Sequence, residues 1–156
     1  MDILKSGLKQ VEKGLGDFLA DTYALYLKTQ NFHWNLKGPN FFSLHLLFQK
    51  QYEDLAEAAD EIAERIQSLG FYVEGTFSAF QKRTSIPEAK KNLSEKKMIQ
   101  ELLAGHEKIS GQIRPLIAHF QEVYDEASAD LLIKRLGVHE KAAWMLRSHL
   151  IPLPGK

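Results

Sequence analysis

A chain of 156 residues with 44% hydrophobic and 26% charged side chains has an ordinary globular composition and enough length to bury a substantial core. Its twenty acidic and twenty basic residues cancel, which excludes an attraction of the chain as a whole to nucleic acid or anionic lipid. It has no cysteine, which excludes disulfides, Cys-ligated zinc and iron–sulfur clusters.

The opening MDILKSGLKQ has neither the apolar run nor the small-residue cleavage pattern of a signal peptide. No stretch approaches the roughly 20 apolar residues of a membrane span. The expectation is a soluble, cytoplasmic, single-domain protein over 1–156, without membrane contact. Residues 4–34 carry Leu4, Leu8, Val11, Leu15, Phe18, Leu19, Thr22, Leu25 and Tyr26 at helical spacing, with Phe32 following. Gly7, Gly14 and Gly16 predict a loose start to this helix. Lys37-Gly38-Pro39-Asn40 is a break, and Asn40 is the candidate cap of a second helix. That helix runs from Phe41 to Leu69 without Gly or Pro, about 43 Å long, with Gly70 as its stop.

Residues 71–93 read as a long crossover with a short helix near Ser78 to Arg83. Ser94 is the expected cap of a third long helix, Met98 through Val123, which Pro115 should kink or deprive of a hydrogen bond. Ser128 is the expected cap of a fourth, with Leu131, Leu132, Arg135, Leu136, His139, Ala142, Ala143, Leu146 and Leu150 as its stripe and Pro152 and Pro154 as its stop. No strand signal or internal repeat is present. The pattern predicts an all-α fold: a ferritin-like four-helix bundle with a long crossover carrying a short helix between the second and third long helices.

An iron centre inside one such bundle uses Glu-x-x-His pairs on facing helices, and this chain contains no Glu-x-x-His. The other candidate set is His33, His45, Asp60 and Glu64. Asp60 and Glu64 stand four apart and share a helix face. His45 precedes Asp60 by fifteen residues on the same helix, about 22 Å along its axis. Metal–ligand bonds are near 2 Å, so one chain cannot close this set around one ion. A second copy running antiparallel across a two-fold axis can. Taken alone, an i, i+4 carboxylate pair is more often a solvated face, and a histidine on an apolar stripe more often a hydrogen-bonded core residue.

NFHWNLKGPNFF, the Leu44-His45 pair, DEIAERIQSLG and the C-terminal ADLLIKRLGVHEKAAWMLRSHL resemble the Dps family, the DNA-binding proteins from starved cells. The likeness covers essentially the whole chain. It implies a dodecameric homo-oligomer of mini-ferritin type, with ferroxidase sites at two-fold interfaces and ferric mineral in a central cavity. His33 and His45 of one subunit and Asp60 and Glu64 of its neighbour would then bind iron, with hydrogen peroxide or, more slowly, oxygen as oxidant. No organic cofactor is implied.

Where many members carry a carboxylate four residues after the second histidine, this chain has Gln49, a possible weak ligand without charge. The second iron position should be weaker for it. Trp34 either packs the end of the first helix or, as the resemblance suggests, stands beside the iron and absorbs stray oxidising equivalents. Asp125 and Asp130 resemble the acidic lining of the family's three-fold pores, with Glu126 as a possible substitute, although Asp near a helix start is also ordinary dipole compensation. Two rival functions differ in class. One is a nucleoid DNA-compacting protein, against which stand the zero net charge and the lack of a lysine-rich tail, with one lysine in PLPGK. DNA binding is expected to be weak or absent at physiological salt. The other is a structural shell without oxidation chemistry, against which stands the complete set of His33, His45, Asp60 and Glu64.

Overall fold

The computed structural model describes residues 2–152; Pro154 and Lys156, named above, lie outside them. Among the described residues five helices and no strand are formed: α1 (Lys5–Asn35), α2 (Phe41–Ser68), α3 (Phe77–Arg83), α4 (Glu95–Glu122) and α5 (Glu126–Ser148). The fold is the all-α, ferritin-like four-helix bundle, with short α3 on the crossover between α2 and α4. Helix α1 packs along α2 and α4 along α5, and contacts of α1 with α4 and of α2 with α5 close the bundle.

The core follows the apolar stripes. Val11, Leu15 and Leu25 of α1 meet Phe48, Leu55 and Ile62 of α2, with Leu102 and Ile109 of α4 and Leu132 and Leu146 of α5, all essentially excluded from solvent. At about 25 cal/mol per Å² of apolar surface, such burial is the dominant stabilising term.

Helix α1 is continuous through its glycines because they admit close neighbours. A Cβ at Gly16 would collide with the guanidinium of Arg83, which instead donates to Asp17 Oδ1 at 2.9 Å and to the Lys13 carbonyl at 3.0 Å. Burial pushes the Asp17 carboxyl up, but the bonds from Lys13 and Arg83 outweigh it and hold Asp17 below the usual carboxylate value. Asp21, one turn on, accepts from the Ser85 amide at 2.7 Å and from Thr84 Oγ1 at 2.8 Å. Asp17 and Asp21 thus hold the crossover onto α1.

The caps differ in part from expectation. Ser94 caps α4, accepting from the Lys97 amide. Gly70, at φ +90°, ends α2: its amide donates to Gln67 and that of Phe71 to Ile66, the paired bonds of a Schellman stop. Asn40 makes no side-chain cap; its amide group is held by Glu95, which accepts from Asn40 N at 2.8 Å and Nδ2 at 3.0 Å. Ser128 is likewise not the cap of α5. Asp125 is, accepting from the Ser128 amide at 3.0 Å, so the helix begins two residues earlier than Ser128. Pro115 lies on an exposed face within α4.

Candidate metal site at the α1–α2 corner

The five-residue link 36–40 turns the chain back on itself, so the last turns of α1 lie against the first turns of α2. This brings His33 and His45 together. Their rings stack with centroids 3.7 Å apart and planes 15° from parallel. Each ring donates to the other's backbone: His33 Nδ1 to the His45 carbonyl at 2.7 Å, and His45 Nδ1 to the His33 carbonyl at 2.9 Å. A carbonyl can only accept, so each Nδ1 carries the proton. In the neutral rings both Nε2 atoms then hold an in-plane lone pair, the form a metal ion requires. Phe41 stacks on His45 at 4.8 Å and Tyr52 meets His33 edge-on at 5.2 Å, which fixes the pair from both sides. His33 is buried and His45 half-buried.

Asp60 and Glu64 lie further along α2, both exposed, on the face their spacing predicts. Among the described residues, no three His, Asp or Glu side chains of one chain gather closely enough to hold an ion. The structure therefore brings the histidines together and leaves the carboxylates separate from them. Gln49 is half-buried and donates its amide to Glu53 at 2.9 Å. Trp34 is 62% exposed, so it does not pack into the core of this chain.

Asp125 does not fit the pore role expected of it. It is 1% exposed, caps α5 and accepts from Arg65 Nη2 at 2.7 Å, while Arg65 Nε donates to Ser128 Oγ at 2.9 Å. A carboxylate committed to a helix cap and a guanidinium inside the subunit cannot also line a channel. Asp130 is exposed.

A second histidine pair escaped the spacing argument because its members lie on different helices. His106 of α4 and His139 of α5 meet in the core, Nδ1 to Nδ1 at 2.9 Å, with 2% and 0% exposure. Arg135 Nη2 lies 3.4 Å from His139 Nε2 and pairs with Asp54 at 2.9 Å. The guanidinium can only donate, so His139 holds its proton on Nδ1 and gives it to His106 Nδ1. His106 is left with a buried Nε2–H that has no partner. Burial drives the His106 ring down to about 4, helped by Arg135 and opposed by Asp54. Burial, then His106, then Arg135 push His139 well below its ordinary value. The sequence signal for this group was the Arg135 and His139 pair on an otherwise apolar stripe.

The sequence profile of the ferritin-like domain family matches residues 12–154. A DNA protection during starvation protein of Bacillus anthracis is 36% identical over 142 residues, covering 91% of this chain and 97% of that protein. The crystal structure of a Dps protein from Bacillus brevis superposes with a TM-score of 0.91 at 33% identity, over 96% of this chain and all of that one. The Dps protein from Vibrio cholerae, described as a member of a broad superfamily of ferritin-like diiron-carboxylate proteins, gives 0.91 at 30% identity over 96% of this chain and 94% of that one.

Proposed function

The chain belongs to the Dps family of ferritin-like proteins, and from that premise we propose that it is an iron-storing mini-ferritin that oxidises ferrous ions at sites completed between two subunits. His33 and His45 of one subunit and Asp60 and Glu64 of its two-fold neighbour are the ligands. The observation that carries this reading is the reciprocal pair of histidine–carbonyl bonds, which presets both Nε2 lone pairs.

Two neutral imidazoles and two carboxylates suit a ferrous ion in ligand type and balance its charge, so little charge is left buried once the ion is bound. Four protein ligands leave coordination positions open for the oxidant. Peroxide takes two electrons and two protons to become two waters, and drawing both electrons from ferrous ions avoids releasing hydroxyl radical. The ferric product collects as mineral inside a closed homo-oligomeric shell, a dodecamer built from two-fold dimers. Gln49 adds no charge and is engaged with Glu53, which weakens the second iron position. Trp34, exposed beside His33, quenches oxidants that escape, and exposed Asp130, with exposed Glu126 as a substitute for Asp125, supplies the acidic lining of an entry pore.

Stopped-flow oxidation of ferrous iron by peroxide, comparing wild type with the His33→Ala, His45→Ala double variant, tests the assignment. Outer-shell changes already cost metal sites about 10–100-fold, so losing both nitrogen ligands should slow oxidation by about 100-fold or more. Equal rates would reject the site.

A further inference from the structure

Three tyrosines join the two half-sites of one chain. Tyr52 lies 5.2 Å from His33, Tyr26 lies 6.0 Å from Tyr52, and Tyr23 lies 5.5 Å from Tyr26, measured between ring centroids. These are the spacings of aromatic rings in contact. All three rings are half-buried, so their hydroxyl protons can exchange with water. Tyr23 then lies 4.9 Å from Phe80, and both line a surface cavity of about 580 Å³ that also contains Asp60. One end of the row is therefore the histidine pair, and the other opens on the cavity that holds a carboxylate of the opposite half-site. Packing alone would need only the rings, and phenylalanine would supply them as well.

We propose that Tyr52, Tyr26 and Tyr23 form an electron relay between the two iron sites of a two-fold dimer, so that one peroxide draws its two electrons from ferrous ions bound at both. This rests on the interface sites proposed above, because only there do the half-sites of one chain belong to two different ions. At the first site, one ferrous ion, one peroxide, the Tyr52 phenol and one proton give a ferric ion, two waters and the Tyr52 phenoxyl radical. The O–O bond breaks; iron supplies one electron, and the phenol supplies the other electron and a proton. Tyr26 and then Tyr23 pass an electron and a proton back along the row, each becoming the radical in turn. At the far end a second ferrous ion reduces Tyr23 and a proton restores its hydroxyl. The sum is two ferrous ions, one peroxide and two protons giving two ferric ions and two waters. A site whose second iron position is weakened by Gln49 thereby keeps two-electron chemistry.

The test uses the full-length protein with one ferrous ion per site, mixed with limiting peroxide in the presence of a spin trap. Wild type is expected to oxidise two ferrous ions per peroxide, with a transient tyrosyl radical in freeze-quenched electron paramagnetic resonance and little hydroxyl adduct. Tyr26→Phe keeps the packing and interrupts the row. It should halve the iron oxidised per peroxide and leave the radical on Tyr52, and Tyr23→Phe should halve it likewise with the radical stopping at Tyr26. Unchanged stoichiometry in both variants would overturn the relay. The His33→Ala, His45→Ala protein separates the two levels. If it loses oxidation while the tyrosine variants behave as wild type, the relay fails and the site stands. If it oxidises iron at the wild-type rate, the site itself fails.

Discussion

Two histidine pairs in this molecule have the same composition and opposite chemistry. In the His33–His45 pair, both Nδ1 protons go to backbone carbonyls and both Nε2 lone pairs are left for an ion. In the His106–His139 pair, the one lone pair not used inside the pair faces the Arg135 guanidinium, and a cation there would meet a positive charge. The first pair sits at a helix corner near solvent; the second lies among Asp54, Arg135 and Phe18 in the bundle core. On the proposed reading, what suits the first pair to be ligands is the partner of each ring's other nitrogen and the charge in front of it, not residue type or neighbours in sequence.

The sharpest way to break this contrast is to remove each pair. Replacing His106 and His139 by Ala empties core volume and takes a neighbour from Arg135, and should destabilise the protein by about 4 kcal/mol in denaturant unfolding. Iron oxidation per folded subunit should stay within about twofold of wild type. Removing His33 and His45 should show the reverse, abolishing oxidation while costing about 2 kcal/mol at most for the two lost bonds.

Acid should sharpen the contrast next. The folded-state value of His106 lies below its unfolded value of 6.5, so its neutral ring contributes full stability above about pH 6.5. As pH falls from there toward about 4, the unfolded state takes up the proton first and that contribution is lost. The loss is about 3 kcal/mol for His106, and His139 acts in the same direction. Unfolding followed from pH 7 to pH 4 should show this slope, and a His106→Leu, His139→Leu variant should flatten it. A wild-type slope in that variant would show that these rings do not carry the acid sensitivity.

The smallest effect concerns Gln49. Restoring a charged acceptor with Gln49→Glu should tighten the second ferrous ion by about tenfold, roughly 1.4 kcal/mol, read by equilibrium iron titration. Unchanged binding would show that this position does not reach the ion.

Much of the fold was legible because the stripes of α1, α2, α4 and α5 are long and regular, and Gly70 and Ser94 mark their ends with specific backbone chemistry. Asn40 and Ser128 misled for one reason: a capping side chain can be claimed by a distant partner or displaced by a better acceptor, here Glu95 and Asp125. Distance along α2 was enough to see that His45 and Asp60 cannot share an ion within one chain. The tautomers of His33 and His45 were not legible, since they depend on carbonyls brought close only by the helix corner. Nor was the burial of Asp125, which follows from Arg65 sixty residues away. The tyrosine row left a trace: Tyr26 stands seven residues before His33, and Tyr52 seven after His45, on shared helix faces.

The central claim is that each chain carries two half-sites that only a neighbour completes. Mixing subunits tests it most directly. Shells reassembled from equal amounts of the His33→Ala, His45→Ala protein and the Asp60→Ala, Glu64→Ala protein contain dimers in which one of the two interface sites is intact. Each variant alone should be inactive, and the mixture should recover activity up to about a quarter of the wild-type iron-oxidation rate, because about half the dimers are mixed and each has one working site. A mixture as inactive as its components, in shells shown to contain both variants, would contradict the account.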